Sequence, residues 1–247
     1  MSQQFVFVTA AYKNREWLNR LFDSVVAQDN KNWRMIYVDD ASEDGSAELA
    51  GEAIANLAIE DRVQIMVNDQ RVGALANQYR AIHATNDNEV IIVLDGDDWL
   101  ARPDALSILD ECYDSEDVWM TYGSYETLSD GSRGKYSRQL PELIIERNMF
   151  RKYPWVTSHL RTFKSWLFKK IDVSDLKDNE SFFTVVMDWA MMYPMLEMAG
   201  KHSRYINEIL YVHNDANPRN NFKIEYEKLL RNRVTILRRE RYVPLDC

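Results

Sequence analysis

The stretch that most constrains this chain runs from Val90 to Trp99, Val-Ile-Ile-Val-Leu-Asp-Gly-Asp-Asp-Trp. Five consecutive apolar residues, four of them β-branched, predict a strand buried on both faces, because a half-exposed strand would alternate apolar with polar. The strand runs straight into Asp95, Asp97 and Asp98. Three carboxylates at the end of a buried strand repel one another and are costly to desolvate. A hard divalent cation, Mg²⁺ or Mn²⁺, removes that cost through oxygen ligation. Gly96 permits a backbone turn that a larger residue would strain. A solvated acidic turn is the simpler alternative, but a buried strand sets the carboxylates at the ligand-binding edge of a sheet.

The rest of the first half repeats one pattern. Phe5–Thr9 reads as a strand ending in Thr9-Ala10-Ala11-Tyr12, and Asn14 can cap a helix whose stripe is Trp17, Leu18, Leu21, Phe22, Val25 and Val26. Arg34–Val38 is a second strand ending in Asp39-Asp40, followed by a helix with Leu49, Ile54 and Leu57. Val63–Val67 leads to Asn68, Arg71 and Gly73, then to a helix with Leu75, Tyr79 and Ile82. After the acidic strand, Pro103 opens a helix with Leu106, Leu109 and Tyr113, and Val118–Tyr122 reads as a fifth strand. Such alternation predicts a parallel, doubly wound sheet whose ligand lies beyond the carboxyl ends of the strands. Thr9–Tyr12, Asp39-Asp40, Asn68–Arg71 and Asp95–Asp98 should therefore converge on one crevice.

Beyond Tyr122 the pattern changes. Ser129–Arg138 is polar and Gly-punctuated, a hairpin tip or loop. Trp155–Arg161, Phe163–Phe168 and Phe182–Met198 are rich in aromatics and Met, and Phe222–Tyr242 has apolar residues at near-helical spacing among many arginines. The net charge of −9, 30 basic residues against 39 acidic, argues against a nucleic-acid partner bound through bulk charge. Two widely separated cysteines, Cys112 and Cys247, give no disulfide framework and point to a reducing compartment. With no signal peptide and no spanning segment evident, the expected location is cytoplasmic.

At this point the residues match a pattern. Phe-Val-Thr-Ala-Ala-Tyr at 7–12, Tyr-Val-Asp-Asp-Ala-Ser-Glu-Asp-Gly-Ser at 37–46, Asn68 with Gly73 and Asn77, and Leu-Asp-Gly-Asp-Asp at 94–98 stand in order. Together they resemble the family 2 glycosyltransferases, which have the GT-A fold and take sugar from a nucleotide-sugar donor. Met-Asp-Trp at 187–189 and Tyr-Val-His-Asn at 211–214 resemble the family more loosely. The resemblance implies an α/β, GT-A type, doubly wound and mostly parallel sheet with a mixed C-terminal acceptor lobe. Residues 1–124 would form the nucleotide-sugar-binding half and 125–247 the acceptor-binding half of one catalytic domain. Carried over by position, Thr9 and Tyr12 hold the nucleotide base, Tyr12 by packing on its ring. Asp39 accepts from the base N–H, and Arg71 lies near the base or diphosphate. Asp95 lies near the ribose or the metal, and Asp97 is the direct ligand of Mn²⁺ or Mg²⁺. Ala10-Ala11 stand where the family often has proline. The Gln-x-x-Arg-Trp signature of processive synthases is absent, which favours transfer of a single sugar to a glycan, glycolipid or protein-linked sugar acceptor.

Several residues carry two readings. Asp40 and Asp44 either cap the following helix or touch ligand, and Arg71 either pairs with surface carboxylates or meets phosphate or base. His213, after a predicted strand Tyr205–Val212, is a metal ligand, a phosphate contact or a structural histidine. Trp155, His159 and Arg161 form an acceptor wall or ordinary core. The Arg-rich terminal helix is a solvated face, or a peripheral contact with anionic lipid that runs against the overall acidity. The catalytic base must lie across the sugar from Asp97. Asp188, between Met187 and Trp189 in an otherwise uncharged run from Ser181 to Leu196, has the apolar setting that suits a general base. It also matches the acidic residue that family 2 enzymes place at the start of a helix under the acceptor; the alternative is a helix cap. Two rival functions are a sugar-phosphate nucleotidylyltransferase, whose Gly-rich first loop is missing from Thr9–Arg15, and a pseudoenzyme that binds nucleotide sugar without turnover.

Overall fold

The apolar run that opens the acidic stretch is a central strand of a sheet covered on both faces. In the computed structural model, which describes residues 3–115, 117–218 and 226–245, it forms β4 (Val90–Val93), buried throughout. β1 (Phe5–Ala11), β2 (Trp33–Asp39) and β3 (Val63–Val67) lie beside it in the order β3-β2-β1-β4, all parallel. Phe222, at the start of the predicted Phe222–Tyr242 segment, and Cys247 lie outside the described residues. Ala11 stands opposite Asp39, Asp39 opposite Val67, and Val8 opposite Val93. The loops after all four strands therefore leave from one edge.

Alternation across the pleat makes both faces apolar. Val6, Val8, Ile36, Val38, Ile91 and Val93 enter one core, and Phe5, Phe7, Met35, Tyr37, Val90 and Ile92 the other. Each such side chain contributes roughly 1.5–3 kcal/mol by leaving water. The second core is closed by α1 (Leu18–Val26), α2 (Ser46–Asn56) and α4 (Ala105–Tyr113), and the first by α3 (Ala74–His83), α5 (Glu142–Glu146), α6 (Ser165–Lys169) and α7 (Met187–Ala199). α1 buries Leu18, Leu21, Phe22 and Val25, as the spacing predicted, but Asn14 does not cap it.

The second half completes the same sheet in a way the βαβ rhythm did not foretell. The expected fifth strand at Val118–Tyr122 is β6 (Met120–Thr127), and it does not extend the parallel set directly. β7 (Arg161–Lys164) lies between β4 and β6, antiparallel to both. β10 (Ser203–His213) pairs parallel with β6 and antiparallel with the two-residue β5 (Trp99–Leu100). The result is one mixed eight-stranded sheet, β3-β2-β1-β4-β7-β6-β10-β5, with a separate hairpin of β8 (Lys177–Asp178) and β9 (Ser181–Phe182). Val212 pairs with Trp99, and this brings His213 to the acidic stretch. An antiparallel bridge between Glu126 and Arg133 closes a turn that takes in the start of the 129–138 segment, which the sequence marked as a hairpin tip or loop. α8 (Tyr226–Arg238) packs on α7. No described helix is long and apolar enough to cross a membrane.

Candidate active site

The strand ends build the site one carboxylate at a time. Asp39 closes β2 and is fully buried; its Oδ1 accepts the Ser42 N–H at 2.8 Å, while Oδ2 is buried without a partner. Asp40 turns the other way. Its Oδ1 accepts from Asn68 Nδ2 and the Val72 N–H, both at 2.9 Å, and its Oδ2 from the Gly73 N–H at 2.8 Å. Burial alone would push the Asp40 carboxyl up, but the Val72 N–H and the other donors outweigh it, and Asp40 titrates below the usual carboxylate range. Asp40 thus anchors the loop that carries Arg71 and does not cap a helix. Gly73, at φ +93°, presents its N–H to Asp40 in a conformation that side chains resist. Asp44 does bond the following helix, accepting from the Ser46 N–H at 3.1 Å and the Ser46 hydroxyl at 2.5 Å. Arg71 lies with its guanidinium 4.0 Å from the centre of the Tyr12 ring and its Nε 3.9 Å from Asp40.

On the acidic stretch, the three aspartates do three different things. Asp98 is buried: its Oδ2 accepts from the Tyr211 hydroxyl at 2.5 Å and His213 Nδ1 at 3.2 Å, and its Oδ1 from the Asn214 N–H at 2.7 Å. It fastens the end of β10 to the site. Asp97 faces the cleft and accepts from Asn217 Nδ2 at 2.7 Å. Burial, reinforced by the neighbouring Asp98 charge, pushes its carboxyl up to about 6. Burial also raises Asp95; Asp97 and Asp188 add to that shift while Arg161 and His213 oppose it. For His213, burial works against protonation, but Asp98, Asp95 and Asp97 prevail and raise it. Gly96 is required by closeness rather than by an unusual φ, since a Cβ there would lie 2.8 Å from Ala11 Cβ. Asn14 spans the gap between β1 and this loop, donating to the Gly96 carbonyl at 2.7 Å and accepting from the Tyr37 hydroxyl at 2.9 Å.

The candidate base and its neighbours come from the second half. Asp188 lies in the first turn of α7, past Val186, which precedes the helix at φ +53°. The uncharged run around Asp188 does not bury it, and its side chain is 26% exposed. Arg161 Nη2 stands 3.8 Å from Asp188 Oδ2 and 2.9 Å from His159 Nε2. A guanidinium only donates, so that nitrogen accepts and neutral His159 carries its proton on Nδ1. Burial, with Arg161 and His213 nearby, holds His159 far below its ordinary value. Trp155 stacks on Trp189 at 5.4 Å, beside Asp188, whereas His159 and Arg161 are buried.

One cleft of about 680 Å³ is lined by Tyr12, Asp40, Arg71, Asp95, Asp97, Asp98 and His213 from the predicted set, with Met187 next to Asp188 on its wall; Asp188, Arg161, His159 and Trp155 do not line it. Thr9 and Asp39 are fully buried rather than on its wall, and Thr9 Oγ1 has no partner. Asn14, Thr184, Met187, Asn217 and Lys228 also line it; none was singled out as a ligand contact, because single polar or apolar residues outside a motif carry no signal. Among the described residues, no three His, Cys, Asp or Glu side chains stand close enough to cage a metal ion. A desolvated carboxylate on the wall, pushed up by its neighbour, does fit a Mg²⁺- or Mn²⁺-type ion, which takes one or two protein carboxylates and fills its shell with phosphate and water.

A parallel β3-β2-β1-β4 set, a mixed extension and a cleft at the strand ends define the GT-A arrangement. The chain is similar in structure to TarS of S. aureus, with TM-score 0.66 and 14% identity over 94% of this chain and 39% of that one. It is also similar to the mannosyltransferase PcManGT from Pyrobaculum calidifontis in complex with GDP-Man and Mn²⁺ (TM-score 0.64, 17% identity, 99% of this chain and 66% of that one). A third likeness is to glucosyl-3-phosphoglycerate synthase from Mycobacterium tuberculosis in complex with Mn²⁺, UDP and glucosyl-3-phosphoglycerate (TM-score 0.63, 12% identity, 95% and 80%). Such identities show the fold alone, and the chain spans only 39% of the length of TarS. No curated protein matches the sequence. Residues 6–174 match the profile of Glycosyl transferase family 2, and the chain belongs to that family.

Proposed function

We propose that this protein is a glycosyltransferase that moves one sugar from a nucleotide-sugar donor to an acceptor hydroxyl, with inversion and without processive extension. The observation that carries the reading is the single cleft that Tyr12, Arg71, Asp95, Asp97 and Met187, at the start of α7, line together. A base stacks on Tyr12 in the place Arg71 now covers, and Arg71 shifts toward the diphosphate. Asp39, fully buried off the cleft wall, takes a base N–H on its unpartnered Oδ2 only if the base enters past the Arg71 loop. A Mn²⁺ or Mg²⁺ ion held by Asp97, with Asp95 or His213 close by, would neutralise charge that develops on the diphosphate. Asp188 takes the proton of the acceptor hydroxyl. The freed oxygen pair forms the bond to the anomeric carbon as the carbon–oxygen bond to the diphosphate breaks, its electron pair leaving with the diphosphate. Residues 1–124 supply the donor side and 125–247 the acceptor side, although β6 runs across that boundary. Cytoplasmic placement belongs to the same proposal; Cys112 is a free thiol. The Mn²⁺ and nucleotides bound by PcManGT and the mycobacterial synthase support the reading.

The test is a panel of UDP, GDP and dTDP sugars with Mn²⁺ or Mg²⁺ and candidate acceptors, reading released nucleotide and the anomeric configuration of the product. Asp188→Asn is expected to keep donor binding and cut turnover by about 10²–10⁴-fold. A retained configuration, or near-normal turnover in that variant, overturns the mechanism. Saturable donor binding with no release for any pairing would make the protein a binding module.

A further inference from the structure

α8 buries Leu229, Asn232 and Ile236, yet Tyr226, Leu230, Val234 and Leu237 on its adjoining face are exposed, at 60, 44, 47 and 37%. Their spacing of three or four residues makes one stripe along the helix. Exposed Arg231 and Arg238 lie beside the stripe, with exposed Arg241 just beyond the helix. From 226 to 245 the chain carries six basic residues against two acidic ones, Glu227 and Glu240, in a molecule of net charge −9. Several of the six have local contacts: Arg231 stands 3.9 Å from Asp178, Arg233 lies over the Trp189 ring at 4.8 Å, Arg239 pairs with Asp175, and Arg241 donates to the Asn148 carbonyl.

We propose that α8 docks this protein on an anionic lipid surface, with the Tyr226–Leu237 stripe in the acyl–headgroup boundary and Arg231, Arg238 and Arg241 on lipid phosphates. The combination of an exposed apolar stripe and flanking arginines is what an in-plane interfacial helix requires. Arginine stems can bury beside the stripe while their heads stay at the phosphates. A second copy packed antiparallel through the stripe is the poorer occupant, since that twofold sets the two arginine rows on the same side, against each other. The acidity of the whole molecule does not oppose docking, because exposed charges more than about 8–10 Å apart are largely screened at physiological salt. Arg238 lies about 15 Å along the helix axis from Lys228, the α8 residue that borders the acidic cleft.

The experiment is co-sedimentation of the intact protein with phosphatidylcholine vesicles, with and without phosphatidylglycerol, and it needs neither donor nor acceptor. Binding is expected only with phosphatidylglycerol and should weaken as salt rises. Leu230→Glu/Val234→Glu should abolish it with an unchanged unfolding midpoint, and Arg231→Gln/Arg238→Gln should lower partitioning roughly fivefold per arginine. No wild-type binding to the anionic vesicles, or undiminished binding by Leu230→Glu/Val234→Glu, overturns the proposal. So does a wild-type dimer in light scattering that the same double variant dissolves while vesicle binding is absent.

Discussion

Asp39 and Asp97 each carry a cost that a donor complex would relieve, and both costs are measurable. Asp39 Oδ2 is a buried acceptor with no donor, and a hydrogen bond to a charged group is worth about 1.5–3 kcal/mol. Asp39→Ala should therefore weaken binding of the matching nucleotide about 10- to 150-fold in calorimetry; unchanged affinity would remove Asp39 from the base site. Asp97, raised to about 6, holds a proton in the folded protein that the unfolded chain has already released. The folded state thus binds more protons between about pH 4 and 6, so this group's contribution to stability falls as pH rises through that window. A cation must displace the same proton, so cation-dependent nucleotide affinity should drop up to tenfold per pH unit below about 6. Asp97→Ala should remove that pH dependence and cation-dependent turnover together while leaving the fold intact. The acidic cluster was legible from sequence, but its division of labour was not. Nothing local marks Asp98 as the residue bound to Tyr211, His213 and Asn214, because those partners lie more than 110 positions away.

At the scale of elements, the four parallel strands were legible because each is a short apolar run followed by an amphipathic helix. β7 was not, since four residues, Arg-Thr-Phe-Lys, show no period of their own and earn their place only by pairing with β4 and β6. β10 was anticipated as a late strand at Tyr205–Val212, but not its bulges or its parallel pairing with β6. The joint between elements that matters most for the site is β1 against the 95–98 turn. A Cβ on Gly96 would lie 3.0 Å from Ala11 Cα and 2.8 Å from Ala11 Cβ, and backbone must give way. Gly96→Ala should cost about 1–3 kcal/mol as an overpacking change and weaken nucleotide binding by displacing Asp95 and Asp97. Removing the opposing methyl in Gly96→Ala/Ala11→Gly should recover much of both. If the double variant is no better than the single one, crowding at Ala11 is not the reason for glycine.

For the whole molecule, the question is what holds the second half and its terminal helix to the sheet. α7 is apolar and buried from Ala190 to Ala199, whereas the uncharged run from Ser181 to Leu196, read as an apolar setting for Asp188, leaves Asp188 in its first turn 26% exposed. Glu197 breaks that character and is fully buried. It takes both Arg151 nitrogens, Nε at 2.6 Å and Nη2 at 2.7 Å, and its Oε2 also accepts the Tyr242 N–H at 3.1 Å. Arg151 Nη1 in turn donates to the Ile236 carbonyl of α8 at 2.6 Å. One ion pair therefore joins α7, the 150–152 turn, α8 and the tail. Such a pair gains little net stability over a well-packed apolar pair, but removing one partner strands a buried charge at a cost of about 3–5 kcal/mol. Arg151→Met and Glu197→Leu should each unfold at markedly lower denaturant, whereas the two together should recover most of the loss. The recovery has a limit set by the backbone: in the double variant the Ile236 carbonyl keeps only the Arg239 N–H at 3.3 Å and the Tyr242 N–H loses its Glu197 acceptor, and an unmade buried hydrogen bond costs about 1–3 kcal/mol. Since Lys228 of α8 borders the cleft, a double variant that is stable yet binds nucleotide less tightly would show the pair positioning α8. Full stability in either single variant would show that the charge left behind reaches water.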